Sequence, residues 1–112
     1  MTINDNEILI GQVWPSDAAY PDYFANNTVK WWQDQLTSLY KTIKFDGLWE
    51  DMNEASNFCT GVCYDKQKPS SPIKQKLKYI PTGRDLEYKS MPLDAKHANG
   101  YYQIDTHSMY GT

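Results

Sequence analysis

Two short apolar runs, set either side of a helical stripe, constrain this chain more than any other feature in it. Ile8, Leu9, Ile10 and Val13 fall within residues 7–14, a run typical of a strand in a parallel sheet. Pro15 ends that strand, because proline has no N–H for a ladder and restricts the residue before it. Residues 16–27 read as a loop containing Pro21 and Asp22. A helix is predicted over residues 28–41, with Val29, Trp32, Leu36, Leu39, Tyr40 and the following Ile43 on one stripe. Lys30, Gln33, Asp34, Gln35 and Ser38 lie largely off it, and Asn27 is placed to cap the helix. Residues 44–51 form a second strand. Strand, amphipathic helix and strand with short connections specify a βαβ unit, whose strands are parallel with a right-handed crossover. Trp14 and Asp51 then leave neighbouring strands at their carboxyl ends, the face that carries chemistry in a (β/α)8 barrel.

The second strand runs into carboxylates. Phe45, Leu48 and Trp49 lead to Glu50, Asp51 and Glu54, three acids within five positions. On composition alone such acids are solvated loop ends or helix caps. Beside an indole they also suit sugar chemistry, because an aromatic face stacks on a pyranose ring while carboxylates bind hydroxyls, attack an anomeric carbon or shuttle a proton. Strand alternation is expected to turn Glu50 away from Asp51; on one side, the pair would raise the pKa of one carboxylate. Trp14 and Trp49, at strand ends, read as site residues, whereas Trp32 on the helix stripe reads as core packing.

At 112 residues the chain has the size of a small domain but less than half of the roughly 250 residues in a complete (β/α)8 barrel. Its net charge of −3 argues against a nucleic-acid partner. Lys66, Lys68, Lys74, Lys76 and Lys78 alternate with Gln, Pro and Ser, as in a solvated loop. No apolar run approaches the roughly 20 residues of a membrane span, so no membrane contact is expected from this segment. Residues 1–7 are polar and carry no visible leader.

Residues 54–106 show neither a helical nor a strong strand signal, which fits a long βα-loop folded over a site. Within them, residues 77–80 and 86–88 are candidates for a hairpin turned at Pro81-Thr82-Gly83, and residues 69–72 read as the most mobile stretch. Residues 101–105 read as an extended entry into another helix.

Cys59 and Cys63 stand in a Cys-x3-Cys spacing, with His97 and His107 remote in sequence. A zinc site is not expected; a local disulfide is the better reading, with Gly61 letting the loop turn back. So short a loop gains little stability from its bridge, whose effect would be to stiffen the rim of a site. Such a bond implies an oxidising compartment, and the sequon Asn26-Asn27-Thr28, with Asn26 as the glycan acceptor, points the same way.

The run from Trp49 through Asp51, Met52, Asn53 and Glu54 to Ala55-Ser56-Asn57-Phe58 resembles the nucleophile signature of the family 31 glycoside hydrolases, the retaining α-glucosidases. That signature is usually spelled Trp-Ile-Asp-Met-Asn-Glu-Pro-Ser-Asn-Phe. Gly11-Gln12-Val13-Trp14-Pro15, Tyr20-Pro21-Asp22-Tyr23-Phe24 and Trp31-Trp32 are similar to the family's upstream segments. Tyr79-Ile80-Pro81, Leu93-Asp94-Ala95-Lys96-His97 and His107-Ser108-Met109-Tyr110-Gly111 are similar to downstream ones, in the family's order, so the resemblance covers roughly residues 8–112. Glu50 in place of Ile and Ala55 in place of Pro depart from the usual spelling, and the first bears on substrate fit.

The resemblance implies an α/β fold, a partial (β/α)8 TIM barrel in which a βαβ unit is followed by a long βα-loop. Residues 1–112 would form one fragment of the catalytic barrel: strand 7–14, helix 28–41, strand 44–51 and loop 54–106. It implies Asp51 as the nucleophile that attacks a terminal α-linked glucose and forms a covalent intermediate, opened by water with retention. Glu54 would be a supporting acid, and Trp14, Trp49 and Met52 would line the sugar pocket. In the family the general acid/base lies beyond the position of Thr112, so the isolated chain is expected to be inactive. The alternatives are a catalytically dead carbohydrate-binding remnant or truncated gene product and, more remotely, a structural domain with solvated acids. The spelling Met52-Asn53-Glu54 favours a glucosidase over the xylosidase-like branch. Implied partners are an α-glucoside or malto-oligosaccharide and the remainder of the barrel, without metal or organic cofactor. The implied location is the secretory pathway, secreted or lysosomal/vacuolar.

Overall fold

Pro15 does more than end a strand: it turns the chain straight back on itself. The computed structural model describes residues 1–3, 7–68, 73, 79 and 85–112. Strand β1 (Thr2–Ile3) pairs antiparallel with β2 (Glu7–Ile8), and β3 (Ile10–Val13) pairs antiparallel with β4 (Ser16–Ala19). Trp14 and Pro15 form the two-residue corner between β3 and β4, with Val13 opposite Ser16. Proline is tolerated there because a corner residue donates nothing to the ladder. Ser16 completes the turn in the left-handed region at φ +80°.

This hairpin corrects two expectations. The strand of residues 7–14 divides around the buried Leu9 into β2 and β3, and part of the expected loop 16–27 is β4. Residues 44–51 join no ladder among the described residues, so the parallel pair of a βαβ unit is not made here. The physical reason is one of distance along the chain. A hairpin closes a two-residue loop, while a parallel partner must return across a whole helix before any hydrogen bond offsets the closure entropy. With β4 taking an edge of β3, Leu48 and Trp49 remain exposed.

Helix α1 (Thr28–Thr42) agrees with the helical stripe to within one residue at its end. Asn27 does not cap it through its side chain. Instead Thr28 donates its backbone N–H to Ala25 O and its hydroxyl to Asp22 O, folding the preceding loop under the first turn. Val29, Trp32, Leu39 and Tyr40, with Ile43 beyond the helix, stay exposed, so the stripe lacks a cover among the described residues. The last elements are a 3-10 turn at Asp65–Gln67 and a short α2 (Gln103–Thr106) running into a 3-10 turn at His107–Met109. α2 begins within the segment expected to be extended; only Tyr102, bridged to Lys96, keeps that form.

The core joins the two ends of the sequence. Met1, Ile3 and Leu9 pack with Ala55, Met91, Ala95 and Tyr110, and Tyr20 and Val62 close over them. Met91, Leu93 and Ala95 lie within the long loop, yet they are among the most buried side chains. Each buried Leu or Met contributes about 1.5–3 kcal/mol relative to exposure. Bridges from Thr2 to Lys96 and from Ser56 to Ser90 hold this segment to the strands and to the acid-bearing turn. The hairpin proposed around residues 81–83 and the stretch 69–72 lie outside the described residues.

Gly61 shows how tightly that loop is seated. Its φ is +66°, and a β-carbon there would sit 2.6 Å from Glu87 Oε2. Glu87 is buried and accepts the Leu93 N–H through Oε1 at 2.9 Å, so its carboxylate cannot simply swing away. Gly61→Ala is expected to cost about 1–3 kcal/mol, read as a lower urea midpoint. An unchanged midpoint would show that Glu87 gives way freely.

Candidate active site

The acids sit on an irregular segment followed by a tight turn. Asp51 Oδ1 accepts the Met52 N–H at 2.9 Å, and Ser56 donates its N–H to Met52 O at 3.0 Å, closing the turn over Asn53, Glu54 and Ala55. Met52 is held at φ +62°, a conformation that costs a side chain of this kind about 1–3 kcal/mol.

A cleft of about 410 Å3 opens beside this turn. Trp49, Glu50, Asp51 and Asn53 form one wall, while Tyr23, Trp32 and Tyr110 form the other. Tyr23 meets the Tyr110 ring at 5.0 Å and stands edge-on to Trp32 at 6.1 Å. Burial, and then the charge of Glu50, push the Tyr23 hydroxyl above its ordinary pKa, so it stays a neutral hydrogen-bonding group. The Tyr110 hydroxyl donates to Pro21 O at 2.9 Å and is raised by burial first, then by Tyr23, Tyr20 and Asp22. Tyr20, pushed up to about 12 by burial, donates to Ser56 O at 2.9 Å and so ties the turn to the end of β4. The result is a half-open aromatic chamber with two carboxylates at one side.

Glu50 is not turned away from Asp51; both line this cleft. Alternation holds only where a ladder imposes the pleat, and residues 44–51 have none here. Trp32, read as core packing, is 41% exposed and lines the same cleft.

The other predicted site residues are distributed around it. Trp49, 89% exposed, shares the cleft with Asp51. Glu54 lies in a second cleft of about 400 Å3 with His107 and Ser108. Asn53 and Gly111 separate the two spaces, and a β-carbon on Gly111 would lie 2.6 Å from Asn53 Cβ, so only glycine permits this approach. Met52 lines neither cleft. Trp14 stands at the tip of the β3–β4 hairpin, 82% exposed, edge-on to Phe58 at 4.9 Å. The cleft residues Tyr23 and Tyr110, and Phe58 beside Trp14, were given no site role by sequence reasoning. Their one available signal was membership of the short motifs Tyr20-Pro21-Asp22-Tyr23 and Met109-Tyr110-Gly111 and of the acid run itself.

Cys59 and Cys63 form a disulfide with Cα atoms 5.3 Å apart, closing the loop that begins at Asn57. Asn26 is exposed on the turn before α1, while Thr28 of the same triplet is buried. Behind the aromatic wall, His97 is buried between Asp22 and α2. Its Nδ1 lies 2.9 Å from Asp22 Oδ1, and its Nε2 lies 2.9 Å from Gln103 Oε1 and 3.0 Å from Thr106 Oγ1. No cluster of three or more His, Cys, Asp or Glu that could hold a metal is present among the described residues. No described helix is long and apolar enough to cross a membrane.

The described residues combine short strands with an amphipathic helix, an α/β segment in which aromatic rings gather beside two carboxylates. Residues 1–112 match the TIM-barrel domain of the family 31 glycosyl hydrolases. The chain belongs to that family. It is 35% identical to a lysosomal alpha-glucosidase of Bos taurus over 99% of its own length, which is 12% of that relative. It is 37% identical to the intestinal sucrase-isomaltase of Oryctolagus cuniculus over 92% of the chain and 6% of the relative. It is also 32% identical to alpha-xylosidase 1 of Arabidopsis thaliana over 91% of the chain and 14% of the relative. The chain thus spans well under a fifth of the length of these relatives.

Proposed function

We propose that this chain is the nucleophile-bearing segment of a retaining α-glucosidase, working within a longer catalytic barrel. The observation that carries this reading is the shared cleft, where the Asp51 carboxylate and the Trp49 indole face an aromatic wall across a space of about 410 Å3. Asp51 acts as nucleophile: its carboxylate attacks the anomeric carbon of a terminal α-linked glucose, the glycosidic bond breaks, and a β-glucosyl ester forms on Asp51. Water then opens the ester with net retention. Glu54 is the supporting acid beside the turn that presents Asp51, Trp49 and Trp14 stack on sugar rings, and Met52 meets the sugar from the backbone between Asp51 and Glu54. Residues 1–112 act as one piece of a single catalytic domain.

The substrate is an α-glucoside or malto-oligosaccharide. The names of the relatives include an alpha-xylosidase as well as alpha-glucosidases, so preference for glucose rests on the spelling Met52-Asn53-Glu54. The Cys59–Cys63 disulfide and the exposed Asn26 of the sequon favour a protein that passes through the secretory pathway.

A mechanism-based fluorinated α-glucosyl label tests the reading. Applied to the polypeptide captured from its source cells, it is expected to add one glucosyl unit to the peptide that contains Asp51, as read by mass spectrometry. A protein that binds maltose and never takes the label on Asp51 would be a carbohydrate-binding remnant instead.

A further inference from the structure

Asn57 follows the acid turn directly and is the best satisfied buried polar side chain near it. It is 1% exposed. Its Oδ1 accepts the Gln12 N–H at 2.9 Å and the Cys59 N–H at 3.4 Å, and its Nδ2 donates to Gly61 O at 2.8 Å and Ser90 O at 3.4 Å. A primary amide has two acceptor sites and two N–H donors, and all are used. Turning the amide over would set its N–H groups against two N–H donors and its oxygen against two carbonyls, so the surroundings fix one orientation.

Gln12 lies two residues before Trp14, and its carbonyl accepts the Phe58 N–H at 2.9 Å. Both backbone groups of Gln12 are therefore taken by residues 57 and 58. On either side of this pairing stand the rings of Trp14 and Phe58, edge-on at 4.9 Å. The close approach depends on Gly11, where a β-carbon would come 2.7 Å from the Tyr20 ring and 3.0 Å from Asn57 Oδ1.

We infer that Asn57 is a positioning residue, whose buried side-chain amide sets where the Trp14 ring stands relative to the acid turn. That role belongs to catalysis only insofar as Trp14 stacks on sugar, as proposed above. Hydrogen bonds between residues 45 positions apart connect the hairpin to the turn, and the aromatic pair inherits its placement from them.

The test uses the 112-residue chain carrying 5-fluorotryptophan, with the Trp14 signal in the 19F spectrum identified by its loss in Trp14→Phe. In Asn57→Asp the shape is kept, but at neutral pH a carboxylate oxygen replaces the donor that faced Gly61 O and Ser90 O. The Trp14 signal is expected to move toward that of a free indole. Repulsion from the Gly61 and Ser90 carbonyls pushes that carboxylate off its seat, so the Gln12 amide should exchange about tenfold faster or more. As pH is lowered and the introduced carboxyl gains a proton, one donor returns, and the Trp14 signal should move back relative to wild type at the same pH. A purely structural contribution gives no such rescue. A Trp14 signal that stays in place in Asn57→Asp while the unfolding midpoint falls would overturn the inference. Should that variant not fold, Gly11→Ala, which displaces Asn57 without removing its amide, must shift the same signal; an unmoved signal there overturns it equally. Failure of the sugar reading registers separately, as a missing label on Asp51, and leaves the Trp14 result as it stands.

Discussion

Changing Asp51 to Asn is expected to lower hydrolysis of a 4-nitrophenyl α-glucoside roughly 10^4- to 10^6-fold in the polypeptide that source cells make, the range seen when a catalytic nucleophile is removed. Asparagine fills the same space beside Trp49 and Glu50 but cannot form the ester, so the loss should fall on kcat while sugar binding persists. A variant that keeps near-normal turnover would remove Asp51 from the mechanism. The 112-residue chain alone is expected to leave the same substrate intact. A retaining enzyme sets its acid/base about 5–5.5 Å from the nucleophile, flanking the scissile bond. The other carboxylate lining the cleft with Asp51 is Glu50, its neighbour along the backbone. Hydrolysis by this chain, abolished in Asp51→Asn, would show that Glu50 or another local acid suffices.

The second large effect concerns stability. Burial opposes ionisation of Asp22, but hydrogen bonds from His97, Ala98 N–H and Phe24 N–H, together with attraction to His97, outweigh it and hold the carboxyl below the usual range. His97 is fully enclosed, with the Phe24 ring edge-on at 4.8 Å, and the Asp22 side chain is only 13% exposed. Removing such a buried acceptor leaves its donors unpaired, at about 1–3 kcal/mol for each buried group. Against the roughly 5–15 kcal/mol that holds a small domain, Asp22→Ala should leave a chain close to unfolding.

The sign of the pH dependence follows from the lowered carboxyl. Asp22 binds its proton more readily in the unfolded chain, so its contribution is complete above the ordinary carboxylate pKa and is lost as pH falls through the lowered folded value. Urea midpoints of wild type and Asp22→Asn should therefore differ most near neutrality and converge in acid. A gap that stays constant across that range would mean the charge of Asp22 is not what stabilises the loop.

Part of this organisation is legible in the sequence and part is not, and the residues explain the division. Helix α1 was legible because Val29, Trp32, Leu36 and Leu39 repeat at one local period. The acid cluster was legible because its spelling is compact and carries two scarce residue types, Trp49 and Met52. The partnering of β3 was not, since a hairpin and a parallel crossover use the same apolar run, and only pairing decides between them. Met91, Leu93 and Ala95 carry no strand signal, since Pro92 and Asp94 interrupt any such pattern, and yet all three are buried, with Pro92 beside them. The Asp22–His97 pair and the Asn57 network left no trace, because they join positions 75 and 45 residues apart and no periodicity records such partnerships. Trp14 illustrates a mixed outcome: its aromatic character was noted correctly, while its place at a hairpin tip followed from a turn that the strand reading had not allowed.

The joining of both ends in one core has a consequence for how the chain is made. Ile3 and Leu9 leave the ribosome well before their core partners Met91, Ala95 and Tyr110. At about 5–20 residues per second, roughly 4–18 s separate the synthesis of Ile3 from that of Met91. Throughout that interval Ile3 and Leu9 have at most Tyr20, Ala55 and Val62 among their native core partners to settle against. Nascent chains of this segment should therefore depend on holding chaperones, and a slower codon stretch ahead of Met91 would lengthen that dependence.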